Sequence, residues 1–169
     1  MGRLVRYQAN TEFPPKMTHE NSANSTAIDA PDLVRLRLDA QVLGPMISRS
    51  QFDRVADHFK EVLDHEDGVP RQDREHFVAA LSDDEARRDL AIAINGLLHG
   101  KRGMQERFDH CLATLQRFDL ATWPLLTVWL AALHPGRYHL IGGDTAVSAG
   151  LTLNWSGFCQ SQRVASSDR

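Results

Sequence analysis

Residues 122–141, TWPLLTVWLAALHPGRYHLI, form the most apolar run of the chain and hold two of its three tryptophans, Trp123 and Trp129. Thr122 suits an N-cap, because its hydroxyl can accept one of the backbone N–H groups left unpaired at a helix start. Pro124 falls in the first turn, where a missing N–H costs no helical bond. The helix continues from Leu125 through Leu133, and Pro135-Gly136 stops it. Apolar residues occupy nearly every face, so the pattern predicts a buried central helix with others packed around it. The run is shorter than the roughly 20 apolar residues that a membrane span needs.

Upstream, four amphipathic stripes are available to cover that helix. Phe52, Val55, Ala56, Phe59, Val62 and Leu63 recur at helical spacing, with Ser50 as the expected cap. Gly68-Val69-Pro70 breaks the pattern, and a short helix from Asp73 buries Phe77, Ala80 and Leu81. Ser82-Asp83-Asp84-Glu85 has the S-x-x-E form of a capping box and opens a helix using Ala86, Leu90, Ala93, Ile94, Leu97 and Leu98. Beyond the loop Gly100 to Gly103, the next stripe is Met104, Phe108, Cys111, Leu112, Leu115 and Phe118. Nearer the N-terminus, a first helix capped by Asp29 runs over Leu33 to Leu43 and ends at Gly44-Pro45; Leu36 and Leu38, alternating with arginines, also admit a short strand.

Downstream of the central run, Arg137 to Ile141 reads as extended chain or a tight turn, and Asp144 caps a short helix from Thr145 to Leu151. The composition turns polar after Asn154, which predicts fraying. Residues 1–29, with Pro14-Pro15 and the polar stretch from His19 to Thr26, read as a flexible tail. The expected organisation is therefore one all-α, compact multi-helix bundle over residues 30–153, with disordered tails at 1–29 and 154–169.

The 169 residues suffice for one core. Hydrophobic residues at 42% and charged residues at 24% are ordinary for a soluble globular chain. The net charge of -3 supplies no global attraction to nucleic acid or to an anionic membrane. Two cysteines make no disulfide framework and fit a reducing cytoplasm. The first 17 residues lack the apolar core of about 7–15 residues that a secretory signal needs, and Arg6 stands where a myristoylation site has Ser or Thr.

The block from Leu97 to Trp155 resembles a group of uncharacterised bacterial helical proteins. The shared features are Leu97-Leu98-His99-Gly100 at a helix end, then Glu106-Arg107-Phe108, and Thr122-Trp123-Pro124 opening a hydrophobic helix. Pro135-x-Arg137, Thr145 and Asn154-Trp155 follow. The family carries a Lys-Pro pair where Gly142-Gly143-Asp144 stands here, and it continues beyond the Asn-Trp. The resemblance implies a helical fold and a C-terminally shortened member, and it implies no activity. Such a shortening would leave apolar surface near Trp123, Trp129 and Leu151.

Four groups of residues could carry chemistry. His58, Glu61 and His65 share one side of their helix and have the side chains of a zinc or transition-metal site, which would suit a hydrolase or metal enzyme. The loop from His99 to Gly103 places Lys101 and Arg102 between glycines. With Arg87, Arg88 and Arg107 it makes five cations against two acids over residues 87–107, whereas residues 51–67 hold two cations against six acids. This basic surface, extended by Arg137, could bind phosphates of a nucleic acid or an acidic partner. Arg137, Tyr138 and His139 beside Asp144 could hold an anion or move a proton. Cys111 lies on an apolar stripe, where a thiol is an inert small hydrophobe, and His110 points elsewhere. No G-x-S-x-G, H-E-x-x-H or G-x-G-x-x-G motif occurs, so neither a catalytic set nor a cofactor is implied. The expected function is a non-catalytic helical protein that binds an as yet unknown protein partner, with nucleic-acid association as the alternative and no role at a membrane.

Overall fold

The computed structural model describes residues 30–167, with side chains from 31 to 163. The expected flexible tail at 1–29 lies outside the described residues. The described chain is all-α, with helices α1 (Ala30–Leu38), α2 (Ala40–Ser48), α3 (Phe52–His65), α4 (Arg71–Ala80), α5 (Asp84–His99), α6 (Met104–Arg117), α7 (Trp123–Leu133), α8 (Gly143–Ser148) and α9 (Trp155–Ser167).

Helix α7 is the centre. Thr122 caps it, its Oγ1 accepting the Leu125 N–H at 3.4 Å while donating to Asp73 of α4 at 2.8 Å. Burial reaches every face of the helix. Trp129, fully buried, sits against Phe59 of α3 at 4.9 Å and Phe77 of α4 at 5.4 Å between ring centroids. Thr127 is the buried polar residue of α7, and its hydroxyl is fully used. It donates to the Trp123 carbonyl at 2.7 Å and accepts the Ile141 N–H at 3.1 Å, which ties the chain after Pro135-Gly136 back to the core.

The stripes of α3, α5 and α6 are buried as their spacing predicts. Helices α5 and α6 form an antiparallel hairpin, because Arg117 at the end of α6 reaches Glu85 and Asp89 at the start of α5. Helix α1 docks by its C-terminal end. His99 Nε2 lies 2.7 Å from the Leu38 carbonyl and His58 Nδ1 lies 3.2 Å from the Arg37 carbonyl, so two rings satisfy carbonyls that a helix end leaves unpaired.

Several helix boundaries differ from the sequence reading. The single first helix is two helices. It breaks at Asp39, whose carboxylate accepts the Gln41 N–H and starts α2. Pro45 then lies inside α2, where its missing N–H leaves the exposed Gln41 without its helical partner. The capping box does not form: Asp83, one residue after Ser82, caps α5 by accepting the Ala86 N–H at 2.8 Å. The segment expected to fray after Asn154 is helix α9. Asn154 Oδ1 accepts the Gly157 N–H, and Phe158 is buried against Phe108 at 4.8 Å with Trp155 alongside. The helical domain therefore extends past residue 153. Gly157 is required there, since a Cβ would stand 2.1 Å from the Thr152 carbonyl oxygen.

Ser50 is not a cap for α3; it ends α2. It has φ 57, with Ser50 N–H bonded to Ile47 O and Gln51 N–H to Met46 O, which is a Schellman closure with serine at the left-handed position. Asp119 does the same for α6, with φ 56 and Leu120 N–H bonded to Leu115 O. A side chain at such a position costs about 1–2 kcal/mol relative to glycine. Ser50→Gly is therefore expected to raise stability by about 1 kcal/mol, seen as a melting temperature about 2–4 °C higher. An unchanged or lowered temperature would show that the serine is not strained.

Candidate binding groove

Predicted metal ligands are kept apart by their own partners. Glu61 pairs with Arg37 at 2.5 and 3.4 Å, His58 is turned to the Arg37 carbonyl, and His65 is exposed at the end of α3. Among the described residues, no three His, Cys, Asp or Glu side chains gather closely enough to hold a metal ion. The expectation of a metal site at His58, Glu61 and His65 is thereby corrected: the face that lines up on a helical wheel is used to anchor α1.

The predicted basic surface is also divided. Arg87 is mostly enclosed and acts as a strut: it donates to the Leu81 carbonyl at 2.8 Å, to Asp84 at 2.7 Å and to Asp53. Arg88 pairs with Asp89 at 3.0 Å. Lys101, Arg102 and Arg107 lie beyond the other end of α5, which runs on for about 17 Å from Arg88 to His99 at 1.5 Å per residue. Arg137 is on the connection after α7, its guanidinium 5.3 Å from the Tyr138 ring. His139 uses its backbone, which exchanges hydrogen bonds of 2.9 and 3.2 Å with the Gln162 side chain of α9. The six cations are therefore spread over both ends of α5 and the connection after α7, and most of them are engaged within the fold.

The loop between α5 and α6 is built by Arg107. Its guanidinium donates to the carbonyls of Leu97 at 2.6 Å and Leu98 at 3.3 Å, closing the end of α5. Gly100 makes room for this side chain, since a Cβ there would lie 2.7 Å from Arg107 Cδ. Arg102 pairs with Glu106 at 2.6 Å, whereas Lys101 is exposed and makes no ion pair among the described residues.

Between the outer sides of α5 and α6 runs an open groove. Its larger part, about 340 Å³, is lined by Ile92, Gly96, Gly100, Lys101, Arg102, Glu106, Arg107 and His110. A smaller hollow of about 190 Å³ continues it, sharing Ile92 and His110 and ending at Asp89, Thr114 and Arg117. Ile92 is 44% exposed at the join. Its position off the buried stripe of α5 is the sequence signal for this groove, a weak one because a single apolar residue on a polar face is common. Asp89 stays ionised well into the acid range. Its partial burial disfavours the charge, but hydrogen bonds from Arg88 and Arg117 outweigh that.

A second cleft, about 440 Å³, lies between the start of α7 and α8, where Val147 is exposed and Leu151 half-buried. Trp123 and Trp129 are themselves buried, so the apolar surface expected near them is confined to this cleft, at Val147 and Leu151. Cys111 is fully buried and its thiol is pushed up to about 12, which leaves it protonated and inert.

Two histidine rings, His58 half-buried and His134 exposed, set a pH dependence. Burial lowers the pKa of His58, against the hydrogen bond to the Arg37 carbonyl, and burial lowers that of His134, helped by Arg137, His99 and Arg35. As the pH falls below about 6.5, the unfolded chain takes up protons that these folded rings resist, so stability is lost. Glu66 works in the opposite sense: burial and Asp67 raise its pKa, so its contribution is present below about pH 4.5 and lost as the pH rises. The melting temperature is expected to fall between about pH 7 and about pH 5.5, and the fall should be shallower in His58→Gln/His134→Gln. An equal slope in both proteins would mean other groups control it.

Set against family models, curated proteins and solved structures, the chain matches none. Among the described residues, no helix is long and apolar enough to cross a membrane.

Proposed function

We propose that this chain is a non-catalytic helical module that binds a segment of another protein in the groove between α5 and α6. The observation that supports it most directly is Ile92, a large apolar side chain left open at the centre of a groove whose neighbouring arginines are mostly engaged within the fold. Nucleic-acid binding draws its affinity from several cations neutralising phosphates, and Arg87, Arg88 and Arg107 are already committed to carboxylates and carbonyls. A cytoplasmic location, supported by two unpaired thiols, belongs to the same reading. So does membership of the uncharacterised helical family that residues 97–155 resemble, supported by the helix ends at Gly100 and Thr122.

A photoreactive phenylalanine at position 92, activated in the native host, tests this. A discrete protein adduct from position 92 and none from exposed position 76 on α4 is the expected result. Adducts to nucleic acid, or the same adducts from both positions, would reject it.

A further inference from the structure

We infer that the partner segment is acidic and amphipathic, with an apolar side chain seated on Ile92 and carboxylates against Lys101 and Arg102; this rests on reading the groove as a protein-binding site. The walls of the groove and its continuation carry four cations, Lys101, Arg102, Arg107 and Arg117, against two carboxylates, Asp89 and Glu106. The chain as a whole carries -3, so the groove is a local exception on an acidic protein. Charge of one sign on the walls selects partners of the other sign and speeds their encounter.

The cations differ in what they can do. Lys101 is exposed and makes no ion pair among the described residues, so a ligand carboxylate can take it without displacing anything. Arg102 is 70% exposed and its pair with Glu106 is an exposed one, which a ligand carboxylate can readily exchange. Arg107 is held on the carbonyls of Leu97 and Leu98 and fixes the loop that presents the other two. One unpaired lysine beside one exchangeable arginine meets two carboxylates well; a phosphate backbone needs more cations at regular intervals.

The dimensions fit a short segment. From Asp89 to Gly100 the floor follows α5 for about 16 Å, which matches about three turns of helix. At Gly96 a Cβ would meet nothing within 4 Å, so the floor beside Ile92 is open and a partner backbone can come close. An amphipathic helix laid in a groove by its apolar face is a recurring mode of peptide recognition.

The test is a random peptide library of about 12 residues, displayed on phage and selected on the full chain, on Ile92→Arg and on Lys101→Glu/Arg102→Glu. Each variant is first shown to melt cooperatively near the native temperature, with Ile92→Ser replacing Ile92→Arg if that one does not. Peptides enriched on the native chain are expected to combine Asp or Glu with Leu, Ile or Phe. Their synthetic forms should lose at least about tenfold in affinity on either variant, and again between about 50 and about 500 mM salt. Peptides that need Ile92 but show no acidic excess, and bind the charge-reversed chain equally well, would overturn the acidic partner and leave the groove standing. Enrichment independent of Ile92 would overturn both. Binding of mixed-sequence duplex DNA that survives Ile92→Arg and is lost in Lys101→Glu/Arg102→Glu would replace the peptide with a nucleic acid.

Discussion

Trp129→Ala is expected to lower the unfolding free energy by about 3–5 kcal/mol, because it empties the largest buried side chain of the core. Phe59 and Phe77 flank the indole from two other helices, so collapse to fill the space would require α3 and α4 to move together. Equilibrium denaturation in urea measures it, and a loss under about 1 kcal/mol would mean that α7 is not the centre of the bundle. Among the described residues the indole N–H has no hydrogen-bond partner. Trp129→Phe should therefore cost much less than the alanine change, since it removes volume and no hydrogen bond. Equal losses in the two variants would reveal a partner for that N–H.

Phe158→Ala is expected to cost about 3 kcal/mol and to release α9. Phe158 is buried among Phe108, Trp155 and Tyr138, with centroid separations of 4.8, 5.4 and 6.0 Å. The loss is capped by the docking energy of α9, since a terminal helix can detach while the rest stays folded. Amide hydrogen exchange separates the two effects. Protection lost in α9 alone, with α5 to α7 unchanged, is the expected result. No loss of stability would return the segment after Asn154 to the frayed tail that its polar composition suggests.

The central helix, its threonine cap and the stripes of α3, α5 and α6 were legible because each depends on spacing within one short segment. The three Schellman closures show the limit of that approach. At Gly150, with φ 61, the residue type announces a left-handed end. At Ser50 and Asp119 the same conformation is forced on residues that read equally well as N-caps, so in the sequence the end of α2 looks like the start of α3. Helix α9 was missed for a related reason. Its polar residues dominate the composition, while Phe158 and Asn154 decide its fate through contacts with segments far away in sequence. The metal set failed because a helical wheel places side chains on a face without saying what lies opposite, and Arg37 lay opposite Glu61. The basic loop was visible, but the carboxylates and carbonyls that engage its neighbours belong mostly to other turns and other helices.

The placement of the tryptophans gives the chain an internal optical readout. Trp129 and Trp123 lie in the buried interior, where indole emission is shifted to the blue, while Trp155 is only partly covered and rides on α9. Detachment of α9 alone therefore changes the emission of Trp155 and of Trp123, whose ring lies beside Gly157, and leaves Trp129 shielded from water, whereas global unfolding reddens all three. Intrinsic fluorescence thus distinguishes the loss of one helix from the loss of the whole core without any added label.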